Sequence, residues 1–156
     1  MTDKFTVAAD DVDLAILAEL QAEGRLPFTE LGRRVNLSAS AVTERVRRLT
    51  EAGFIAGYRA VLDLPKLGFP VLADIRLKYP GSRHQPLHDL LARRTEILEC
   101  LRVTGDACYV LRVAARDMPH LERIVNELAD FGSASTSVVY SITQPYRDPI
   151  GPAAAS

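Results

Sequence analysis

Leu37-Ser38-Ala39-Ser40-Ala41-Val42-Thr43-Glu44-Arg45-Val46-Arg47-Arg48-Leu49-Thr50-Glu51-Ala52-Gly53-Phe54-Ile55 is the stretch that decides how this chain folds. Ser38 is a residue type that caps helices, and Gly53 one that stops them. Between them Val42, Val46 and Leu49 fall at i, i+4 and i+7, so they share one buried stripe. At about 100° per residue, Ser40, Thr43, Glu44 and Arg47 project to the opposite side, with Arg48 at its flank. Short hydrogen-bonding side chains near a helix start, with arginines a turn later, suit a helix lying in the DNA major groove. Taken alone, the same pattern also describes an ordinary solvated face. Its surroundings decide.

The formal net charge is only −1, but its distribution is uneven. Residues 25–59 hold seven arginines against Glu30, Glu44 and Glu51, a local +4. Residues 1–24 hold Lys4 against six acidic residues, a local −5. A basic window inside an acidic chain can neutralise phosphates while the molecule stays near neutrality. With 47% hydrophobic and 25% charged residues, the 156-residue chain reads as globular, one domain or two small ones. It has no apolar run long enough for a membrane span and no cationic-then-apolar leader, so a cytoplasmic protein is expected. Cys100 and Cys108 are too few for a disulfide framework and read as reduced core residues.

Outward from the opening stretch, Val12, Ile16, Leu17 and Leu20 predict a helix over about 11–23, stopped by Gly24. Pro27 opens a short second helix over about 28–35, with Leu31 and Val35 inward. Ile55 to Leu62 reads as a strand pair turning at Gly57, with Tyr58 and Arg59 at its tip. Three helices and such a wing make a winged helix-turn-helix domain, residues 1–63. Residues 64–70 carry two prolines and a glycine and read as a linker. Residues 71–146 follow the order strand, helix, strand, strand, helix, strand, with strands expected at Val71–Tyr79, Ile97–Val103, Cys108–Ala114 and Ser135–Thr143. That order is the ferredoxin-like βαββαβ pattern, giving an α+β chain. Helices cover one face of such a sheet. Leu101, Val103, Tyr109, Leu111 and Val113 argue that the other face packs on a second copy, as a homodimer. Residues 1–9 and the tail 147–156 read as disordered or flexible.

The chain resembles the Lrp/AsnC, or feast/famine, family of prokaryotic transcription regulators over residues 10–145. The matches are Asp13-x-x-Ile16-Leu17, Glu30-Leu31, Leu37-Ser38, Arg45-Val46-Arg47-Arg48-Leu49, Gly53-Phe54-Ile55-x-Gly57-Tyr58, Leu67-Gly68 and Gly105-Asp106-x-x-Tyr109, all in register. The resemblance implies a C-terminal (RAM-type) domain that holds dimers together, often four of them as an octamer, and senses a small molecule, most often an amino acid. Two positions depart from the pattern. Cys108 stands where the family often has a second Asp in the hairpin, and Pro27 where it often has a Ser or Thr cap.

The expected DNA contacts are Arg33, Arg34, Ser38, Ser40, Thr43, Glu44, Arg47, Arg48 and Arg59. Arg47 and Arg48 suit guanine edges or phosphates, Ser40 and Thr43 short base contacts, and Arg33 and Arg34 the backbone. Glu44 either accepts from cytosine or pairs with Arg47 or Arg48 on its own helix. Arg45 lies nearer the core stripe. On residues alone, Thr104-Gly105-Asp106 reads as a ligand-binding loop or as a plain hairpin turn, with the turn favoured. The resemblance turns it into an effector site formed by Val103, Thr104, Gly105, Asp106, Ala107, Cys108 and Tyr109, completed by Ser135, Thr136 and Ser137. There Gly105 brings backbone N–H groups to a carboxylate and Asp106 meets an ammonium. His84 and His88 are i, i+4, but Pro86 lies between them, so no metal site is expected. No nucleophile-base set, zinc-protease helix or phosphate loop is present, so neither an enzyme nor a cofactor is expected beyond the effector.

The expected function is transcription regulation at pseudo-palindromic double-stranded operators, in the cytoplasm and on the nucleoid, with no membrane partner. The alternatives are a nucleoid-organising protein of the same fold without an effector, and a small metabolic enzyme on a ferredoxin-like fold.

Overall fold

The computed structural model describes residues 8–81 and 84–149. The outermost parts of the two expected disordered ends, 1–7 and 150–156, lie outside the described residues. The chain divides into two compact units, one reaching to Val61 and taking up the segment from Pro145, the other spanning Leu62–Gln144.

In the first unit, α1 (Asp11–Ala22), α2 (Phe28–Arg34) and α3 (Ala39–Glu51) enclose a core of Ile16, Leu17, Leu20, Leu26, Leu31, Val42, Val46 and Leu49. Each such side chain contributes about 1.5–3 kcal/mol by leaving water. A reciprocal cap starts α1. Asp13 N–H donates to the Asp10 carboxylate at 2.8 Å, and Asp10 N–H donates to the Asp13 carboxylate at 3.2 Å. Asn36 takes a left-handed φ of 55° in the turn between α2 and α3, where Leu37 N–H donates to Gly32 O at 2.8 Å. Gly32 is required there, because a Cβ would sit 2.5 Å from the Leu37 carbonyl oxygen.

The expected wing does not form as strands: no strand lies between Ile55 and Asp63. Val61 is 93% exposed and Tyr58 and Leu62 are also exposed, so pairing would bury no apolar face to offset its entropy. The segment from Pro145 joins this unit. Gln21 Nε2 donates to the Asp148 carbonyl oxygen at 3.0 Å, and the Arg59 guanidinium lies 5.9 Å from the Tyr146 ring centre.

In the second unit, a 3-10 turn (Pro65–Leu67) precedes β1 (Val71–Lys78), α4 (Gln85–Arg93), β2 (Ile97–Arg102), β3 (Tyr109–Ala115), α5 (Met118–Ala129) and β4 (Ser133–Val138). The antiparallel sheet runs β2-β3-β1-β4, so each helix crosses over one strand, the ferredoxin-like topology. Both helices cover one face. Leu87 and Leu90 of α4 and Leu121, Ile124 and Leu128 of α5 pack on Ala73, Ile75, Leu77, Tyr109, Leu111, Val113 and Ala115.

Two sequence expectations change here. β4 ends at Val138, not Thr143, because its partner runs out: Val138 pairs with Ala73, Val139 N–H reaches Leu72 O at 2.8 Å, and β1 begins at Val71. Tyr109, Leu111 and Val113 all lie on the helix-covered face and so do not argue for a covered second face. Of the residues in that argument, Leu101 and, by alternation, Val103 are on the open face, Leu101 opposite Val110.

Candidate nucleic-acid interface and ligand cavity

The α3 helix starts where Ser38 Oγ accepts from Ala41 N–H at 3.2 Å, and the same hydroxyl shares a 3.0 Å hydrogen bond with the Ser40 hydroxyl. Its inner stripe is Val42, Val46 and Leu49. Ser40, Thr43, Glu44 and Arg47 form one exposed face, as the 100° spacing requires. The Thr43 hydroxyl donates back to Ala39 O at 2.8 Å, leaving its lone pairs and methyl facing out.

The arginines divide into two groups. Arg47 is held on the helix surface, bidentate to Glu44 at 2.6 and 3.0 Å, and reaches Glu51 at 2.6 Å. The Glu44 hydrogen bonds and then those of Glu51 hold its pKa above the ordinary value, and Arg47 holds the Glu44 carboxyl below its own. Such exposed pairs exchange readily for a phosphate or base edge. Arg48, expected to face DNA, instead donates to Asp13 at 2.6 Å. Arg45 donates to Asp10 and Asp13, each at 2.8 Å. Asp13 is fully buried and accepts from both arginines, so it ties α3 to α1. The 100° projection missed this, because Arg48 flanks the face and its side chain is long enough to reach back to α1. The signal was nonetheless present, as Asp10 and Asp13 stand in an N-cap to N3 spacing next to the only basic window.

On α2, Arg33 donates to Glu30 at 2.7 and 2.9 Å, and Arg34 pairs with Glu19 at 2.7 Å and Glu30 at 3.1 Å. The Arg33 and then Arg34 hydrogen bonds push the Glu30 pKa down to about 2. Arg59 lies against Tyr146, as above. Much of the local +4 is therefore met by carboxylates within the same unit.

In the second unit, Gly105 takes a left-handed φ of 103° at the tip of the β2–β3 hairpin, a conformation that favours glycine. Cys108 N–H donates to Leu77 O at 2.9 Å and its thiol to Tyr79 O at 3.4 Å. Asp106 and Cys108 line a cavity of about 400 Å³ with Lys78, Tyr79, Pro80 and Ser133. The expected effector residues are thus only partly brought together. Ala107 is buried, and Tyr109 points to the helix side, its hydroxyl 2.8 Å from His84 Nδ1. Ser135 and Ser137 stand opposite Arg76 and Asp74 on the open face, whereas Thr136 pairs with Ile75 on the other. Lys78, Tyr79, Pro80 and Ser133 were not among the expected lining, because only the sheet register brings the end of β1 and the start of β4 to the hairpin. Among the described residues no group of three His, Cys, Asp or Glu side chains is placed to hold a metal ion.

The AsnC-type helix-turn-helix domain matches residues 10–50, and the Lrp/AsnC ligand binding domain matches residues 71–149. This chain belongs to the Lrp/AsnC family. The HTH-type transcriptional regulator LrpC of Bacillus subtilis (strain 168) is 33% identical over 132 residues, 85% of this chain and 92% of LrpC. The solved structure of LrpC superposes with a TM-score of 0.84 at 31% identity, over 90% of this chain and all of LrpC. The feast or famine regulatory protein Rv3291c of M. tuberculosis, complexed with L-methionine, superposes with a TM-score of 0.84 at 28% identity, over 92% of this chain and all of Rv3291c. Lrp/AsnC relatives are transcription regulators rather than enzymes, and this chain carries both of the family's domains.

Proposed function

We propose that the chain controls transcription by laying α3 in the DNA major groove, and that an amino acid bound beside the β2–β3 hairpin sets its DNA affinity or assembly. The observation that carries the first part is the exposed Ser40, Thr43, Glu44 and Arg47 face on a capped helix-turn-helix. Arg47 reads a guanine edge or phosphate by leaving Glu44 and Glu51, Ser40 and Thr43 make short base contacts, and Arg33 and Arg34 grip phosphates. Arg48 supports the helix through Asp13 rather than reading bases.

The effector reading rests on the cavity at the hairpin and on the L-methionine complex of a related regulator. Asp106 meets the ligand ammonium, and Lys78 with the Gly105 backbone meets its carboxylate. Cys108, a neutral lining where the family often has a carboxylate, favours an apolar ligand side chain. Pairing of two sheets makes a homodimer that presents two α3 helices to a pseudo-palindromic operator on the nucleoid, with four dimers assembling into an octamer. An effector acts by differing affinity for two such states.

A thermal-shift panel of the twenty amino acids tests the effector reading, since a ligand that binds only the folded state raises the melting temperature. One or a few apolar amino acids are expected to do so, and less in Asp106→Asn. No shift with any of them refutes it.

A further inference from the structure

A second hollow, with a lining distinct from that of the Asp106 cavity, lies on the helix side of the sheet. It has a volume of about 290 Å³ and is formed by His84, His88 and Leu91 around α4, Cys100 and Arg102 of β2, and Tyr109 of β3. That is near the lower end of the roughly 300–1,000 Å³ of small-molecule sites. Register explains why these strands share it: Arg102 is paired with Tyr109, and Cys100 with Leu111, so their side chains share the helix-covered face.

The floor is apolar. Leu91 and the Tyr109 ring supply it, and burial holds the Cys100 thiol neutral by raising its pKa. Tyr109, only 4% exposed, is fixed by its 2.8 Å hydrogen bond with His84. The rim is cationic. Arg102 has no carboxylate partner among the described residues, in contrast to Arg47, Arg94 and Arg112, which are all paired. Among the described residues no carboxylate lines the hollow, and the exposed His88 adds a second nitrogen donor. A planar guanidinium beside an apolar floor matches one carboxylate bidentately while the rest of the ligand packs below. Among the described residues the His and Cys side chains there are not grouped to hold a metal ion.

We propose that this cleft is a second ligand site, taking a small monocarboxylate with an apolar body: Arg102 and His88 bind the carboxylate, and Leu91, Cys100 and Tyr109 hold the body. One aromatic layer separates it from the Asp106 cavity, since the Tyr79 ring that lines the latter lies 5.4 Å from His84 and 6.4 Å from Tyr109. The proposal does not depend on the effector reading.

The test uses 3-phenylpropionate on the full-length chain, by calorimetry and by amide chemical-shift mapping. This probe carries no ammonium and so offers nothing to Asp106. Saturable binding is expected, with shifts centred on His88, Leu91, Cys100 and Arg102. Arg102→Ala is expected to weaken it by about tenfold or more. Arg102 is exposed and has no carboxylate partner among the described residues, so that variant should keep the wild-type melting temperature. Inorganic phosphate, an anion with no apolar body, is expected to bind far more weakly. Absence of saturable binding, undiminished binding by Arg102→Ala, shifts centred on Asp106 and Ser133, or equal binding of phosphate each overturns the proposal.

Discussion

Replacing Asp13 by Ala should loosen the helix-turn-helix unit more than any exposed change in it. Asp13 is fully buried and accepts from Arg45 at 2.8 Å, Arg48 at 2.6 Å and the Asp10 N–H at 3.2 Å. Hydrogen bonds to charged groups are each worth about 1.5–3 kcal/mol, and the cap about 1 kcal/mol. The arginine side chains are 27% and 44% exposed, so they regain hydration once Asp13 is gone. The net loss for Asp13→Ala is therefore about 2–4 kcal/mol. The reverse change costs more: Arg45→Met with Arg48→Met strands a buried carboxylate, a loss of about 3–5 kcal/mol. At roughly 4–8 °C per kcal/mol for a unit this small, both losses are well within reach of a melting experiment. The chain has no tryptophan, so far-UV circular dichroism, with amide NMR to isolate residues 10–50, is the assay. An unchanged melting temperature for Asp13→Ala, or a greater loss there than in the double arginine variant, refutes the account of Asp13 as the tie between α1 and α3.

Other outcomes follow from the same geometry. Arg47→Ala should weaken operator binding by about 1–3 kcal/mol in a gel shift, without altering the melting temperature or the dimer. Arg48→Ala should do the opposite in emphasis, lowering the melting temperature by the loss of about 1–3 kcal/mol. Gly32→Ala should destabilise the turn by about 1–3 kcal/mol in urea titration, because its Cβ would meet the Leu37 carbonyl oxygen at 2.5 Å. The Glu30 carboxyl is held down to about 2 by Arg33 and Arg34, so its contribution is present above its ordinary value of 4.5 and is lost as pH falls toward 2. A carboxyl NMR titration should place its midpoint there, and Arg33→Gln should raise it.

The three-helix order, the cap at Ser38 and the βαββαβ sequence of elements were legible because each rests on local chemistry or on the spacing of apolar residues. The wing was not. Ile55–Leu62 carries strand-forming residues, but whether they pair depends on a surface to bury, and Val61 finds none. Strand faces were half legible. Tyr109, Leu111 and Val113 share one face by alternation alone, but Leu101 belongs to another strand, and its side depends on pairing with Val110 across a register that shifts between Ile97 and Glu99.

By itself the sequence determined the family, the two domains and the outward face of α3, since helical periodicity and caps act within a few residues. Tertiary structure alone decided which charges are free to act. Arg47 and Arg48 are neighbours in the chain and alike in chemistry, yet one lies exposed among exchangeable carboxylates and the other is bound to a buried Asp13 more than thirty residues away. It also decided the lining of the Asp106 cavity, because Lys78 and Ser133 reach the hairpin only through the register of β1 and β4. A side chain's role depends on what it meets, and for long charged side chains that partner is set by the packing of distant elements.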